Sequence, residues 1–328
     1  MTENRRDIIR RNIQRLSPFI ILLLLFAAMS ALNRDFLTVR SVINLMQQVA
    51  TVGIVALGVM LVIITGGIDF SSGFGVAMIG MAAGSTFAMS AGTRSAWVLI
   101  SVSLAAGALL GLANGLIVSG LKIKPFIATL GTMSIAQGMA LLVGGGRMIP
   151  LRGEPVLWVG QGLLFGVVPV PFVIFVIVAV LMYIILNKTK LGIYAYAIGS
   201  NEEAVRQDGI NIFKYKTLVY VIAGICTGIA AMITITRIAM ATPGVSGTIL
   251  LDAIAATVIG GTSVSGGRGT VSGTIAGAFT IVIIGSALTF LRIAPEMQDL
   301  FRGAVIFIAI GLDAYINRYS HRLGRRLM

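Results

Sequence analysis

The stretch IVALGVMLVIITGGIDFSSGFG, residues 54–75, runs from hydrocarbon side chains straight into a glycine-rich break. A near copy of this break, VIGGTSVSGGRG, returns at 258–269, with Gly66 matching Gly260. Each copy follows an apolar segment and precedes a second segment rich in small residues. Irregular backbone at membrane depth is tolerated only where protein buries it or where it faces a water-filled cavity. The repeat therefore has two possible explanations, a transport pathway or a pair of tight turns.

Paired interruptions in corresponding halves of a membrane protein are a sequence signal for a transport pathway. The alternative is a pair of helix-to-helix turns in which glycines allow tight geometry and Asp69 or Ser265 caps the following helix. Acidic residues inside membrane segments are candidates for function. Asp252 is one of these, or else it caps a helix that restarts after Pro243. The predicted pathway residues are Gly66, Gly67, Asp69, Ser71, Asp252, Gly260, Gly261 and Thr262.

Composition limits the class of protein. The chain has 328 residues, of which 57% are hydrophobic and 11% charged, and its mean hydropathy is +0.96. A soluble domain cannot hide that much apolar surface. A single Cys and a single His exclude a disulfide framework and a His/Cys metal cluster. The net charge of +13 would suggest nucleic acid for a soluble protein, but basic cytoplasmic loops explain it here, so the expected partner is membrane lipid.

Apolar segments recur along the whole chain and predict an all-α integral membrane protein with about ten transmembrane helices, because only helices satisfy their own backbone in lipid. The segments lie near 18–32, 45–65, 73–92, 95–119, 125–143, 168–187, 217–238, 242–260, 270–291 and 300–317. The segment 242–260 is interrupted by Pro243, Gly247 and Asp252. Counting it as a crossing gives the even number that two ends on the same side require.

Basic residues set the predicted orientation in the membrane. With both ends cytoplasmic, the 25 Lys and Arg residues favour the inside roughly two to one. The predicted organisation is a basic N-terminal segment 1–16, a polytopic domain 17–317 and a basic tail 318–328. The first span also resembles a cleavable signal peptide, although the first span of a polytopic protein has the same appearance.

The longest predicted inner loop, 188–216, contains signals for a short helix at about 201–208. Ser200 and Glu203 have the spacing of a capping box. Gly209 supplies a left-handed stop. Ala204 and Val205 are small apolar residues suited to contact with another protein. The alternative is a helix that lies along the membrane interface.

Four segments carry a family resemblance. These are GGIDFSSG at 66–73, KPFIATLGTM at 124–133, LGIYAYAIGSNEEAVRQDGI at 191–210 and LDAIAATVIGGTSVSGGRGTVSGT at 251–274. In this order they resemble the ribose/galactose/xylose-type permeases of bacterial ABC importers. The sequence departs from the family pattern at Phe70, Ser72, Phe74 and Asp208.

The resemblance implies an assembly. In that family two permease subunits, here most simply a homodimer, form the pathway, a cytoplasmic ATPase with two nucleotide sites drives it, and an external binding protein delivers a monosaccharide. The loop that corresponds to 199–210 meets the ATPase. The implied coupling residues are Ser200, Asn201, Glu202, Glu203, Ala204, Val205, Arg206 and Gly209.

The sequence shows no nucleotide-binding or catalytic motif of its own. A phosphate-binding Walker A loop requires Gly-Lys-Ser/Thr, and no lysine in the sequence follows a glycine. No nucleophile–base pair is evident, so we expect neither catalysis nor a bound cofactor, with ATP held by the partner ATPase. Two rival functions remain open. One is a stand-alone secondary carrier, and the other is the same architecture serving nucleosides, autoinducer-type furanones or branched amino acids.

Overall fold

A computed structural model describes residues 5–32, 34–90, 96–244, 248–294 and 297–301, together with 303, 304, 307 and 311. Its helices are α1 (Arg5–Leu32), α2 (Val39–Ile64), α3 (Ser72–Met89), α4 (Ala96–Ser119), α5 (Pro125–Gly144), α6 (Glu154–Gln161), α7 (Val170–Lys188), α8 (Lys190–Ser200), α9 (Glu202–Gln207), α10 (Ile212–Arg237), α11 (Ile249–Ile259) and α12 (Val271–Phe290), with a 3-10 turn at Arg34–Leu37. Its strands are β1 (Ile149–Pro150), β2 (Leu163–Leu164), β3 (Val168–Pro169) and β4 (Met240–Ala241). β1 pairs antiparallel with β4, and β2 with β3.

Local sequence explains several helix starts. Thr38 caps α2, because its hydroxyl accepts a hydrogen bond from the Ser41 N–H at 3.4 Å. Thr270 caps α12 in the same way, accepting from the Gly273 N–H at 3.1 Å. α5 begins at Pro125, whose missing N–H costs nothing in the first turn of a helix.

The core of the bundle is α2, in which every residue from Val49 to Ile64 is buried. It packs against α7, α10, α11 and α12. A helix that is apolar on all sides belongs in the middle of a structure, and the sequence 49–64 has that character. α4, α5 and α7 are less buried, so their apolar outer faces are suited to lipid or to a second copy of the chain.

The predicted fold class is confirmed, and seven of the predicted segments are confirmed as candidate spans. Within the described residues, seven helices are long and apolar enough to cross a membrane: α2, α3, α4, α5, α7, α10 and α12. The first predicted segment lies in α1, whose apolar part, Pro18–Ala31, is shorter. Because α1 begins at Arg5, residues 5–16 are helical and continuous with that segment. Most of 300–317, all of 318–328 and residues 1–4 lie outside the described part, so the number of crossings stays a prediction.

Within the described residues of the doubtful segment 242–260, the helical part is α11, which has 11 residues. At 1.5 Å per residue α11 is about 17 Å long, about half of the hydrocarbon thickness. The reason lies just upstream, where Met240 and Ala241 pair with β1 and Pro243 follows. α11 is therefore a half-length helix and does not span by itself.

The bundle has two distinct ends. At one, the chain breaks between α2 and α3 and again between α11 and α12; we call this the break end. The paired strands lie at the other, which we call the hairpin end. Gly84, near the end of α3, lies against Ala241 of β4 and near Leu151, which follows β1, and this contact fixes the hairpin end opposite the start of α3.

Candidate functional site

The two glycine breaks begin with the same backbone geometry. Gly66 has φ 79° and Gly261 has φ 85°, values that a residue with a side chain rarely adopts. Each donates its N–H at 2.9 Å to the carbonyl three residues back, and the following residue donates to the carbonyl five back. This is the Schellman way of ending a helix. In three dimensions Gly66 therefore corresponds to Gly261, one residue away from the Gly260 that sequence matching indicates.

The breaks also touch each other. A Cβ built on Gly266 would lie 3.0 Å from the Cα of Gly66 and 2.8 Å from the carbonyl oxygen of Gly199 at the end of α8. The N–H of Gly267 donates a 2.9 Å hydrogen bond to the carbonyl of Ile64, the last residue of α2. We call this set of five residues the glycine junction. It joins α2, α8 and the second break through contacts between backbone atoms.

Buried polar side chains fasten the first break to its neighbours. Asp69 accepts hydrogen bonds from the Ser71 N–H at 2.9 Å and the Ser71 hydroxyl at 2.6 Å. The Asn114 amide on α4 donates to the Ser71 hydroxyl at 2.7 Å and accepts from Thr132 on α5, also at 2.7 Å. All four residues are buried. Burial raises the pKa of the Asp69 carboxyl, and the bonds from Ser71 oppose that rise.

Sequence reasoning missed Asn114 and Thr132 as members of this network. The available signal was the amide itself, because an Asn inside an apolar span usually finds a partner on another helix. The expected capping role of Asp69 takes a different form. Its carboxylate closes a turn onto Ser71, two residues on, and no side chain caps the start of α3.

The structure divides the predicted pathway residues into two groups. Seven of them lie at the break end: Gly66, Gly67, Asp69, Ser71, Gly260, Gly261 and Thr262. Of these seven, Gly66 and Gly261 are exposed and the others are buried. The eighth, Asp252, lies eight residues before the end of the α11 turn at Gly260 and faces a cavity nearer the hairpin end.

That cavity has a volume of about 250 Å³ and lies between α2, α10, α11 and α12. We call it the polar cleft. Its polar lining residues are Gln48, Thr51, Thr234, Arg237, Thr248, Asp252 and Thr289. A smaller cavity of about 170 Å³ shares Gln48 and Thr289 and adds Ser41, Asn44 and Ser286. Polar groups on α2, α10, α11 and α12 therefore converge on one place.

The loop 188–216 is more ordered than sequence alone indicates. It consists of α8, then the short helix α9, and then the start of α10. The predicted capping box is wrong, because Ser200 is the last residue of α8 and its hydroxyl donates to the Tyr196 carbonyl at 2.9 Å. Asn201 is the cap of α9, and its side chain accepts from the Ala204 N–H at 3.1 Å. The left-handed stop at Gly209, with φ 74°, is confirmed.

Side chains around α9 hold it in place. Glu202 pairs with Lys216 of α10 and with Arg206 at 3.2 Å, and Glu203 pairs with Arg206 at 3.0 Å. Val205 is only 5% exposed, so its side chain packs within this chain and is not presented to a partner. Ala204 is exposed. Of the two predicted contact residues, only Ala204 is available on the surface.

A cavity of about 420 Å³ opens between the α4–α5 turn and α9. Its charged lining residues are Lys122, Lys124, Glu202, Arg206 and Lys216. Four of these five residues are basic and one is acidic, so the cavity presents a net positive surface next to α9. Such a surface is suited to acidic groups of a partner.

α8 connects α9 to the glycine junction. Gly199, one residue before the end of α8, sits so close to the Ile64 carbonyl that no side chain fits between them, and a Cβ there would also lie 2.6 Å from the Gly267 nitrogen. The Tyr196 hydroxyl donates to the Gly269 carbonyl at 2.8 Å, and burial raises the pKa of this phenol. A displacement of α9 would thus reach both breaks through a single short helix.

Comparison with known proteins gives a consistent result. The family described as "Branched-chain amino acid transport system / permease component" matches residues 41–310. The chain is 37% identical to the ribose import permease protein RbsC of Bacillus subtilis, over 95% of this chain and 96% of that protein. It is 36% identical to RbsC of Escherichia coli K12, over 90% and 92%. It is 32% identical to the galactose/methyl galactoside import permease protein MglC of E. coli K12, over 90% and 93%. No solved structure matches.

Proposed function

The chain belongs to the family of ABC importer permeases that contains the ribose and galactose import permeases, and from this premise we propose that it is the membrane subunit of an ATP-driven monosaccharide importer. It forms the pathway and leaves ATP binding and hydrolysis to a partner ATPase, so it needs no cofactor of its own. The named relatives support a ribose- or galactose-like substrate.

The observation that carries the proposal is the seating of α8, which leads directly into α9, on the two glycine breaks. A loop that only linked two spans would need neither a capped helix nor the ion pairs of Glu202 and Arg206. It would also not need a helix end held by backbone contact with Ile64 and Gly267. This construction fits a lever that receives force at α9 and delivers it to the helices around the pathway.

The ATPase docks on the surface formed by Ala204 and the basic cavity beside it. When ATP closes the ATPase, α9 moves as a unit because Asn201 and Gly209 fix both of its ends. α8 passes the movement through Gly199 to the end of α2 and to the second break. The breaks permit the change because they are short irregular segments between rigid helices.

The proposal extends to the orientation and to the remaining partners. The break end and both termini face the cytoplasm, and the hairpin end faces outward and receives an external sugar-binding protein. A second copy of the chain completes the pathway, most simply as a homodimer. The weakly buried apolar faces of α4 and α5 are available for lipid or for that copy.

The test is uptake into proteoliposomes that contain the permease, the ATPase encoded beside it and the cognate binding protein. We expect accumulation of ribose or galactose only with ATP inside and with all three components present. An ATPase variant that binds ATP without hydrolysing it serves as the control. Uptake that proceeds at the same rate without the ATPase would identify a secondary carrier. ATP-dependent uptake of leucine or a nucleoside, with no sugar uptake, would keep the importer and reject the monosaccharide.

A further inference from the structure

The polar cleft gathers hydrogen-bonding groups from four helices on the hairpin-end side of the breaks. Gln48 extends from α2, Arg237 from the end of α10, Asp252 from α11 and Thr289 from α12. Polar side chains inside a membrane domain are expensive to keep and generally mark a pathway. The cleft is not part of the glycine junction, because Gln48 precedes Ile64 by sixteen residues, about 24 Å along α2.

Two of these side chains have unused hydrogen-bonding capacity. Within the part of the chain that the structure describes, the Gln48 amide and the Arg237 guanidinium form no hydrogen bond or ion pair with another side chain or backbone group. Both are only partly exposed. A partly buried guanidinium with no protein acceptor carries a desolvation penalty that a ligand's oxygen atoms would remove.

The threonines add acceptors. The Thr51 hydroxyl donates to the Gln47 carbonyl at 3.4 Å, and the Thr234 hydroxyl donates to the Ala230 carbonyl at 2.7 Å. Each hydroxyl has then used its only hydrogen and retains a lone pair for a donor. The lining therefore offers donors from Arg237, acceptors from the threonines and both kinds of group from Gln48.

Resting on the proposed function, we infer that the polar cleft binds a single neutral monosaccharide before it crosses the bundle. Each sugar hydroxyl both donates and accepts, which matches a lining that mixes donors and acceptors. The guanidinium of Arg237 suits two neighbouring hydroxyl oxygens, because its donors form a fixed fork. Asp252 in the same lining disfavours an anionic solute.

The position of the cleft gives the site its role. Toward the break end, α2 and α11 pack together, and Leu57, Leu61 and Ala256 are buried in the same apolar core. A sugar in the cleft has left the outside without reaching the break end. Release toward the break end then requires the rearrangement that the glycine junction transmits.

The experiment is equilibrium binding of radiolabelled D-ribose and D-galactose to the purified permease in lipid nanodiscs, without ATPase or binding protein. We expect saturable binding of one of these sugars. Gln48→Leu and Arg237→Gln should each weaken that binding at least tenfold, because each removes hydrogen bonds from a partly buried site. Matched controls are Gln137→Leu and Arg152→Gln, which make the same changes at exposed positions outside the cleft and should bind like the unaltered chain.

A third variant guards against misfolding. Thr289→Val keeps the shape of the α12 wall, and weaker binding in it alone would still support the site if Arg237→Gln failed to fold. Three outcomes overturn the inference: no saturable binding of either sugar, equal binding in the cleft variants and their controls, or displacement of sugar by leucine. Since the assay contains no ATPase, such a failure leaves ATP-dependent uptake, and with it the proposed function, to be judged separately.

Discussion

Gly199→Ala is the most direct probe of the glycine junction. The added Cβ would lie against the Ile64 carbonyl and 2.6 Å from the Gly267 nitrogen. Both neighbours are backbone atoms, so no side-chain rotation can make room. Overpacking of this kind costs about 1–3 kcal/mol, and loss of the 2.9 Å Gly267–Ile64 hydrogen bond costs about 1 kcal/mol more. Replacing glycine by alanine within a helix returns about 1 kcal/mol. The net cost is about 1–3 kcal/mol, concentrated where α8 meets α2.

A cost of this size should shift the equilibrium between docked and displaced α8 about tenfold, because about 1.4 kcal/mol corresponds to a factor of ten. We expect the rest of the bundle to stay folded. In the reconstituted importer we expect Gly199→Ala to bind the ATPase normally and to hydrolyse ATP. Stimulation of hydrolysis by the loaded binding protein, and sugar uptake, should each fall about tenfold or more. The measurement is coupled ATPase activity and uptake on the same preparation.

The matched control is Gly131→Ala on α5, where a Cβ meets nothing within 4 Å; it should behave like the unaltered protein. Full stimulation and uptake in Gly199→Ala would refute the idea that this contact transmits force. Loss of ATPase binding in the variant would also refute it, because the junction would then serve docking and not coupling.

Ala204→Glu places a charge on the exposed face of α9, where docking of the ATPase would bury it without a partner at a cost of several kcal/mol. Co-purification of the ATPase should be lost while the permease still inserts. Retained co-purification would place the contact elsewhere. Asp69→Ala leaves the N–H and hydroxyl of Ser71 without their buried acceptor, which costs about 1–3 kcal/mol. Thermal unfolding in detergent should therefore occur at a lower temperature. An unchanged midpoint would show that the network adds little to stability. Ser200→Cys should react with an impermeant maleimide only from the cytoplasmic side. The native Cys226 is buried and should not add to the signal. Labelling from outside would reverse the predicted orientation.

Much of the fold follows from sequence because lipid leaves few choices. Long apolar runs must be helices, and the seven confirmed spans lie close to their predicted bounds. The failures come from local competition. Ser200 and Glu203 have correct capping-box spacing, but α8 continues through Ser200, and the next residue, Asn201, caps α9. Sequence spacing does not reveal that α8 extends through Ser200, which moves the cap of the next helix to Asn201.

The candidate site was harder to predict because its contacts are distant in sequence. Gly199 reads as an ordinary residue of a loop, and only its approach to Ile64 and Gly267 gives it a role. Asn114 likewise becomes recognisable as a site residue only through its hydrogen bond to Ser71, 43 positions earlier. In contrast, Gly209 ends α9 through its own backbone conformation, and that local signal was sufficient.

The duplicated break has a physical reason in this arrangement. A glycine ends α2 and another ends α11, and because neither break carries bulky side chains at the contact, Gly66 and Gly266 can meet backbone to backbone. One helix, α8, therefore contacts both the end of α2 and the second break, through Gly199. These helices also form two walls of the polar cleft, one through Gln48 and the other through Asp252. In the proposed importer, a displacement of the end of α2 relative to α11 would change the separation of those walls. The same two helices would then connect the contact with α8 to the cleft in which we infer that the sugar binds.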